Sequence, residues 1–429
     1  MDPLSHRRSR FCLSPTGSWT RPPELGYFVT VSGENTVDLS FGPAYATFRA
    51  ELRAFITTYG HEAPPRVDLR APRTLAWQQR LISQGYAGRT IPREYGGYGA
   101  QPDILEARIM AEEFAAAQVS PGLAGQGIKM LIPTLLHFGS EVQRQQFIRP
   151  TLAGEMIWCQ GYSEPDAGSD LASLRTQAVL DGDHWVVNGQ KIWTSTAHLA
   201  DWMFCLVRTE PAAPKHKGIS FLLFPMTTPG IEVRPLTTMV GDASFNEVFF
   251  TDVRVPRESM IGQRGEGWKV ANTLLGFERG MLGDPNVTLM RFNALVALMQ
   301  QETVDGTRLI DHPLFCDRLM QIQGRMLALR ANDLRLLSAG LFERPAELAG
   351  LVVKLVGTEL RHELEALAID VLGELGTLYR GSPLLRDEGM WQQHYMYFLG
   401  LIIGGGTAQI QKNIIAERGL GMPREPKLA

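Results

Sequence analysis

Apolar positions change their period twice along this chain. From Tyr45 to about Gly154 they recur at helical spacing, as in ILEARIMAEEFAAA (Ile104 to Ala117) and MLIPTLLHFG (Met130 to Gly139), which predicts a helical layer. Between about Met156 and Trp268 the pattern shortens to β-type runs punctuated by turns: TQAVL, WVV, KIWTS, WMFCLVRT, ISFLLF, IEVRPL and NEVFFTDVRV. That spacing predicts a small antiparallel β-domain. Helical spacing then returns in LRLLSAGLF, LVVKLVGTELRHELEALAIDVLG and QIQKNIIAERGLG, with Gly419 and Pro423 stopping the last helix. Residues 1–44 are rich in Ser, Pro, Gly and Thr, lack a period, and read as an irregular arm without assigned function. The expectation is an α+β multi-domain chain. An N-terminal helical domain spans 45–155, a middle antiparallel β-domain 156–268, and a C-terminal four-helix-type bundle 269–429.

Composition narrows the function classes. With 429 residues, 44% hydrophobic and 20% charged, and a formal net charge of −3, the chain can bury a large core and offers no basic surface for nucleic acid. Its basic run, HRRSR at His6 to Arg10, is better read as a solvated tail, and no apolar segment follows Arg7-Arg8 as a twin-arginine export signal would require. No stretch is long and apolar enough for a membrane span. Cys12, Cys159, Cys205 and Cys316 are scattered without a C-x-x-C pair, which reads as reduced, buried thiols in a cytoplasmic protein.

Two stretches carry candidate chemistry. In YSEPDAGSDLASLR (Tyr162 to Arg175), Pro165, Gly168 and the small polar Ser163, Ser169 and Asp170 cannot continue a strand or helix, so they form an irregular loop with exposed amides and hydroxyl donors. In NGQKIWTS (Asn188 to Ser195), Asn188-Gly189 between apolar runs predicts a hairpin turn and puts Trp193 on a strand beside Thr194 and Ser195. A π-face flanked by hydroxyls suits an aromatic cofactor, although a core or interface Trp would look the same. Asp166 and Asp170 lack a third ligand at metal-binding spacing, so turn formation accounts for them and no metal site is expected. The histidines form no HExxH motif and Ser163 lacks the nucleophile elbow, which argues against hydrolases.

Over roughly residues 45 to 425 the chain resembles the acyl-CoA dehydrogenases. The resemblance rests on PREYGGYGA (Pro92 to Ala100), the SEPDAGSD loop, NGQKIWTS, FNEVFFTDVRVP (Phe245 to Pro256), GEGW (Gly265 to Trp268), FERG (Phe277 to Gly280) and GGTAQIQKNIIAERGLG (Gly405 to Gly421), in family order. It implies FAD lying between the β-domain and the C-terminal bundle, with its adenine end reaching a neighbouring subunit. It further implies α,β-dehydrogenation of an acyl-CoA thioester, electron-transfer flavoprotein as acceptor, and a homo- or hetero-oligomer, dimer or tetramer. Tyr162, Ser163, Gly168, Ser169, Trp193 and Ser195 match positions lining the flavin. Thr407 and Gln409 match contacts to its adenosine diphosphate portion, although Thr407 also suits an N-cap. Gly373 and Gly376 match a glycine pair across the subunit boundary, although helix termination explains them nearly as well.

One departure matters. The commonest family pattern has a Glu immediately before the Gly-Thr of the last block, where this chain has Gly405. A minority, including isovaleryl, long-chain and actinobacterial steroid-type enzymes, carries the base on an earlier helix directly before an Arg, and Glu278-Arg279 fits that alternative. Val270, Leu274 and Phe277 at helical spacing put Glu278 beside an apolar stripe, where burial would raise its pKa and make it a better base. The plainer reading is a surface ion pair with Arg279. In the resemblance, the amide near Gly405 joins a flavin ribityl hydroxyl as an oxyanion hole, such donors being worth about 3 kcal/mol each. Block-level similarity to steroid-type and pimeloyl-type large subunits suggests a bulky, branched or long acyl group. Because some relatives pair a base-bearing chain with one lacking it, Gly405 also admits a half-site subunit. An oxidase, or action on carrier-protein thioesters, stays open.

Overall fold

The computed structural model describes residues 42–424 except Arg66 and residues 342–346, together with the backbone of two short paired strands, β1 (Thr30–Val31) and β2 (Val37–Asp38). Side chains at 279–281, 337–341 and 347–348 also lie outside the described set, Arg279 among them, as does Cys12.

Local chemistry sets the N-terminal helices. Pro43 and Pro72 occupy first-turn positions of α1 (Pro43–Tyr59) and α2 (Pro72–Ser83), where a missing N–H costs nothing. Asp103 caps α3 (Ile104–Ala117) by accepting from the amides of Leu105 and Glu106. A π-turn over Gly127–Leu131 leads into α4 (Ile132–Phe138), and Ser140 and Gln143 form a reciprocal capping box for α5 (Glu141–Ala153). Leu52, Phe55, Trp77, Leu81, Ile109 and Phe114 form the core between α1, α2 and α3, and Glu113 ties α3 to Arg49 and Arg53 of α1.

The middle of the chain is one sheet: β3 (Trp158–Gly161), β4 (Gln177–Asp181), β5 (His184–Lys191), β6 (Trp202–Arg208), β7 (Ile219–Pro225), β8 (Ile231–Leu236), β9 (Phe245–Pro256) and β10 (Met260–Ile261). Its order is β10-β7-β6-β4-β5-β9-β8, with β3 pairing parallel to β6. The sheet is therefore mixed, although most of its pairings are antiparallel as the alternating runs predict.

The hairpin expected at Asn188-Gly189 is not there. β4 and β5 turn instead through Gly182, and Asn188-Gly189 falls inside β5, where the register against β9 slips between Val187 and Gly189. Gly189 is needed for a bulge: at φ +149° its absent Cβ leaves room for Thr176, whose Oγ1 would lie 2.6 Å from it. Asn188 pins that bulge by exchanging hydrogen bonds with the side chain and amide of Asp252.

The C-terminal part is helical: α6 (Gly267–Leu282), α7 (Pro285–Gln301), then a small hairpin of β11 (Thr303–Val304) and β12 (Thr307–Arg308). α8 (Pro313–Leu341), α9 (Glu347–Leu372), α10 (Met390–Ile403) and α11 (Ala408–Ile414) complete it. Leu295, Leu319, Leu360, Leu364 and Trp391 lie in its core. The buried Arg291 pairs with Glu365 at 2.7 Å and stacks 4.1 Å from the Trp391 ring centre. α6 fuses the layers: Val270, Ala271 and Leu274 share one core with Met130, Leu131 and Leu135 and with Phe204, Phe221 and Leu223 of the sheet. Full burial of each such side chain contributes about 1.5–3 kcal/mol.

That stripe stops at Leu274. Phe277, expected to extend it, is exposed, because from there α6 borders a cleft whose wall it forms with Glu278 and Leu282. Cys159 and Cys205 are buried, and burial pushes the Cys205 thiol up to about 12, so both are inert; Cys316 is half-buried rather than sealed.

Candidate active site

The two chemistry-bearing stretches are stapled together by a pair that sequence reading did not single out. Lys191, fully buried at the end of β5, donates to Glu164 at 2.8 Å and to the Tyr162 carbonyl at 3.1 Å. Glu164 also accepts from the amides of Arg175 and Thr176, closing its own loop. Burial pushes the Glu164 carboxyl up, but the Lys191 charge and these donors outweigh it and hold the group below the usual range. The amide of Ile192 bonds the Ser163 carbonyl at 2.9 Å, so the loop and the strand end move as one piece.

Trp193 therefore sits just beyond β5, not on it. It and Thr196 have φ of +60° and +57°, a costly conformation for non-glycine residues, held by Thr194 on Asn246 and Thr196 on Ser244. This bend turns the indole outward. It is 59% exposed, an unusual state for the largest apolar side chain, and meets Phe245 edge-on at 6.1 Å.

The indole faces a cleft of about 1090 Å³ between the Gly127–Leu131 turn, the sheet, α6 and the end of α10. Tyr162, Ser163, Gly168, Ser169, Trp193, Ser195, Glu278, Gly405 and Thr407 all line it. The Tyr162 ring stands edge-on to Phe204 and Phe221 with its hydroxyl sealed and unbonded among the described residues. Burial, then the Glu278 charge, push that phenol well above its usual range.

Glu278 and Gly405 meet at one corner. A Cβ on Gly405 would lie 3.4 Å from Glu278 Oε1 and 2.6 Å from Leu282 Cδ1, so the Glu278 carboxylate borders the space that a side chain at 405 would enter. Gly405 and Gly406 have φ of +68° and +96°, and their carbonyls are engaged by Gln411 at 3.1 Å and by the buried Lys354 at 2.7 Å. Lys354 also holds the Ile402 carbonyl, so one cation fixes the loop; its position in the apolar run of α9 gave no hint of that.

Thr407 caps α11 through the Ile410 amide while lining the cleft, so its structural role is real whatever else it does. Gln409 is exposed on α11 outside the cleft. Gly373 ends α9 with φ +56°, and Gly376 borders a separate pocket of about 360 Å³; a single chain does not bring either to the cleft. Asp170 pairs with Lys215 and Ser173, Asp166 faces Arg175, and no metal-binding cluster exists among the described residues.

An uncovered indole, hydroxyls of Ser163 and Ser195, and a side-chain-free glycine corner fit a flat polar ring system such as a flavin. Profiles of one family match the chain in order: acyl-CoA dehydrogenase N-terminal domain over residues 43–155, middle domain over 159–253 and C-terminal domain over 265–420. The chain belongs to the acyl-CoA dehydrogenase family, oxidoreductases that dehydrogenate acyl-CoA thioesters with a flavin. Acyl-CoA dehydrogenase IpdE1 of Mycobacterium tuberculosis is 39% identical over 393 residues, covering 89% of this chain and 98% of that one. IpdE1 of Mycolicibacterium smegmatis is 38% identical over 401 residues, with the same coverage of 89% and 98%. Among solved structures, the ChsE4-ChsE5 complex of M. tuberculosis superposes with a TM-score of 0.75 at 32% identity, covering 91% of this dehydrogenase and all of its counterpart. Among the described residues, no helix is long and apolar enough to cross a membrane.

Proposed function

We propose that this chain binds FAD in the large cleft and dehydrogenates the acyl group of a CoA thioester, with Glu278 as the base. The observation that carries the reading is the carboxylate of Glu278 beside Gly405, in the same cleft as Trp193, Ser163 and Ser195. FAD, when bound, supplies the acceptor for the hydride leaving the β-carbon. Ser163, Ser169 and Ser195 offer hydroxyl donors to its polar edge, and Tyr162, Gly168 and Trp193 shape the surface it lies on. Glu278 removes the α-proton, and the Gly405 amide, on a residue at the same corner, hydrogen-bonds the thioester oxygen and acidifies the α-carbon in this reading. Leu282 borders the same corner and packs apolar surface beside the carboxylate.

Gln409, Gly373 and Gly376 stand apart from the cleft, which supports a cofactor whose adenosine end is completed by a second subunit. The superposing two-chain ChsE4-ChsE5 complex favours a different chain in that place over a second copy. The half-site reading predicts a colourless chain. Purification alone and with a co-expressed paralogue tests both: a yellow spectrum that bleaches with acyl-CoA in the chain alone supports catalysis here, and a colourless chain active only with its partner supports the half-site reading. Bleaching that survives loss of Glu278 would assign the base to the partner. Electron-transfer flavoprotein as acceptor and a cytoplasmic location belong to the same proposal, and peroxide release during turnover would mark an oxidase instead.

A further inference from the structure

The glycine corner beside Glu278 is held by two side chains that lie outside the cleft. Gly404, Gly405 and Gly406 follow α10, and the last two adopt φ of +68° and +96°, so nothing intrinsic to this loop fixes its course. Lys354, 1% exposed on α9, donates to the Ile402 carbonyl at 2.9 Å and to the Gly406 carbonyl at 2.7 Å. A cation that only capped α10 would stop at Ile402; the bond to Gly406 spans the glycines and pins their far end. Gln411, 2% exposed on α11, donates to the Gly405 carbonyl at 3.1 Å, and its Nε2 fills the space a Cβ on Gly406 would need, 2.6 Å away. The Gly404 amide is bonded to the Gly400 carbonyl at 2.8 Å. The backbone is thus tied before and after the Gly405 amide, which itself donates to no described residue. The same turn of α9 also backs the helix of Glu278: Val353 and Gly357 press on Gly283, one residue past α6, where a Cβ would lie 2.4 Å from Val353 Cγ1.

We propose that Lys354 and Gln411 are positioning residues for the dehydrogenation: by clasping the glycine loop they keep the Gly405 amide at a fixed place relative to Glu278, so that one bound thioester meets donor and base together. This rests on the reading of Glu278 as base and the Gly405 amide as oxyanion donor. A donor of that kind accelerates proton removal only if it is already aimed at the oxygen where negative charge develops. Three unclamped glycines would spread the amide over many directions, and a misplacement of about 1 Å costs about 10²-fold in rate. Neither Lys354 nor Gln411 lines the cleft, so both act through the loop and not on the substrate.

The test uses flavin-loaded protein and whichever of butyryl-, octanoyl- and cyclohexylpropionyl-CoA bleaches the wild type fastest. Lys354→Met and Gln411→Met should each keep flavin and thioester affinity while slowing flavin reduction, by about 10²-fold for Lys354→Met. In a Glu278→Gln background, where the thioester stays unreacted, the isotope-labelled carbonyl stretch should move to lower wavenumber on binding. Adding either substitution should return that band toward its position in free thioester. Arg291→Met, which removes another buried cation of the bundle away from the cleft, is the control: its thermal midpoint should fall while rate and band stay. Wild-type rates with an unmoved band in Lys354→Met and Gln411→Met, or equal losses in Arg291→Met, would overturn the proposal; should one variant not fold, the other decides. A wild type that no thioester bleaches, or a band that does not move in Glu278→Gln alone, would strike the base-and-donor reading and the proposal with it.

Discussion

Replacing Lys191 by Met tests whether the Glu164–Lys191 pair is what holds the flavin-lining loops in place. Lys191 is fully buried and Glu164 is 7% exposed, so the substitution leaves a carboxylate in the interior with only the Arg175 and Thr176 amides to answer it. Removing one partner of a buried pair costs about 3–5 kcal/mol. At about 2 °C per kcal/mol for a chain of this size, the thermal midpoint should fall by roughly 6–10 °C. Because Lys191 also holds the Tyr162 carbonyl, flavin content should fall with it. The control is Asp181→Asn, which breaks the exposed Arg254 pair and should barely move the midpoint. The pH dependence has a definite sign. The folded-state pKa of Glu164 is depressed, so its stabilisation is complete above the unfolded value of about 4.3 and is lost as pH falls through the lower folded value. The destabilisation caused by Lys191→Met should therefore be largest near neutral pH and shrink as pH falls through that value, where the wild type loses the pair as well. A midpoint and flavin content equal to the Asp181→Asn control would refute the staple.

Further tests address the corner, the indole and the bundle. Gly405→Ala forces a side chain at φ +68° and against Leu282, costing about 1–3 kcal/mol of stability in thermal denaturation and lowering turnover by narrowing the corner beside Glu278. Trp193→Ala removes a 59% exposed ring, so the apoprotein midpoint should stay while flavin affinity, measured by fluorescence titration, drops; Trp193→Phe should restore part of it. Arg291→Met strands the buried Glu365 and strips the cation from Trp391, and should cost about 3–5 kcal/mol in the same denaturation assay, as a buried pair does.

The layer sequence of the fold was legible because period and burial coincide: Ile104 to Ala117 is α3, and the alternating runs became strands of the sheet. Asn188-Gly189 misled because the same dipeptide chemistry that makes a two-residue turn also makes a bulge. Only Thr176, just before the paired β4 and hard against Gly189 through its Oγ1 and Cα, decides between them. Trp193 left its strand for a like reason, since its positive φ is imposed by Asn246 and Ser244 on β9 and its approach, not by its neighbours. The cleft gathered most of the residues that motif reading proposed. Gln409, Gly373 and Gly376 lie outside it: Gln409 is exposed on α11, Gly373 ends α9 and Gly376 borders the smaller pocket, and a short glycine or glutamine motif carries no signal of which cavity it will face. Lys354 carried no motif. Its role comes from facing partners across the fold, which no local pattern encodes.

The most direct measurement mixes acyl-CoA anaerobically with flavin-loaded Glu278→Gln in a stopped-flow instrument and follows loss of the flavin absorbance. Gln keeps the shape of the side chain and removes its basicity, so the account predicts normal flavin content, intact thioester binding and reduction slowed by about 10²–10⁴-fold. Reduction at the wild-type rate would contradict it and move the base elsewhere.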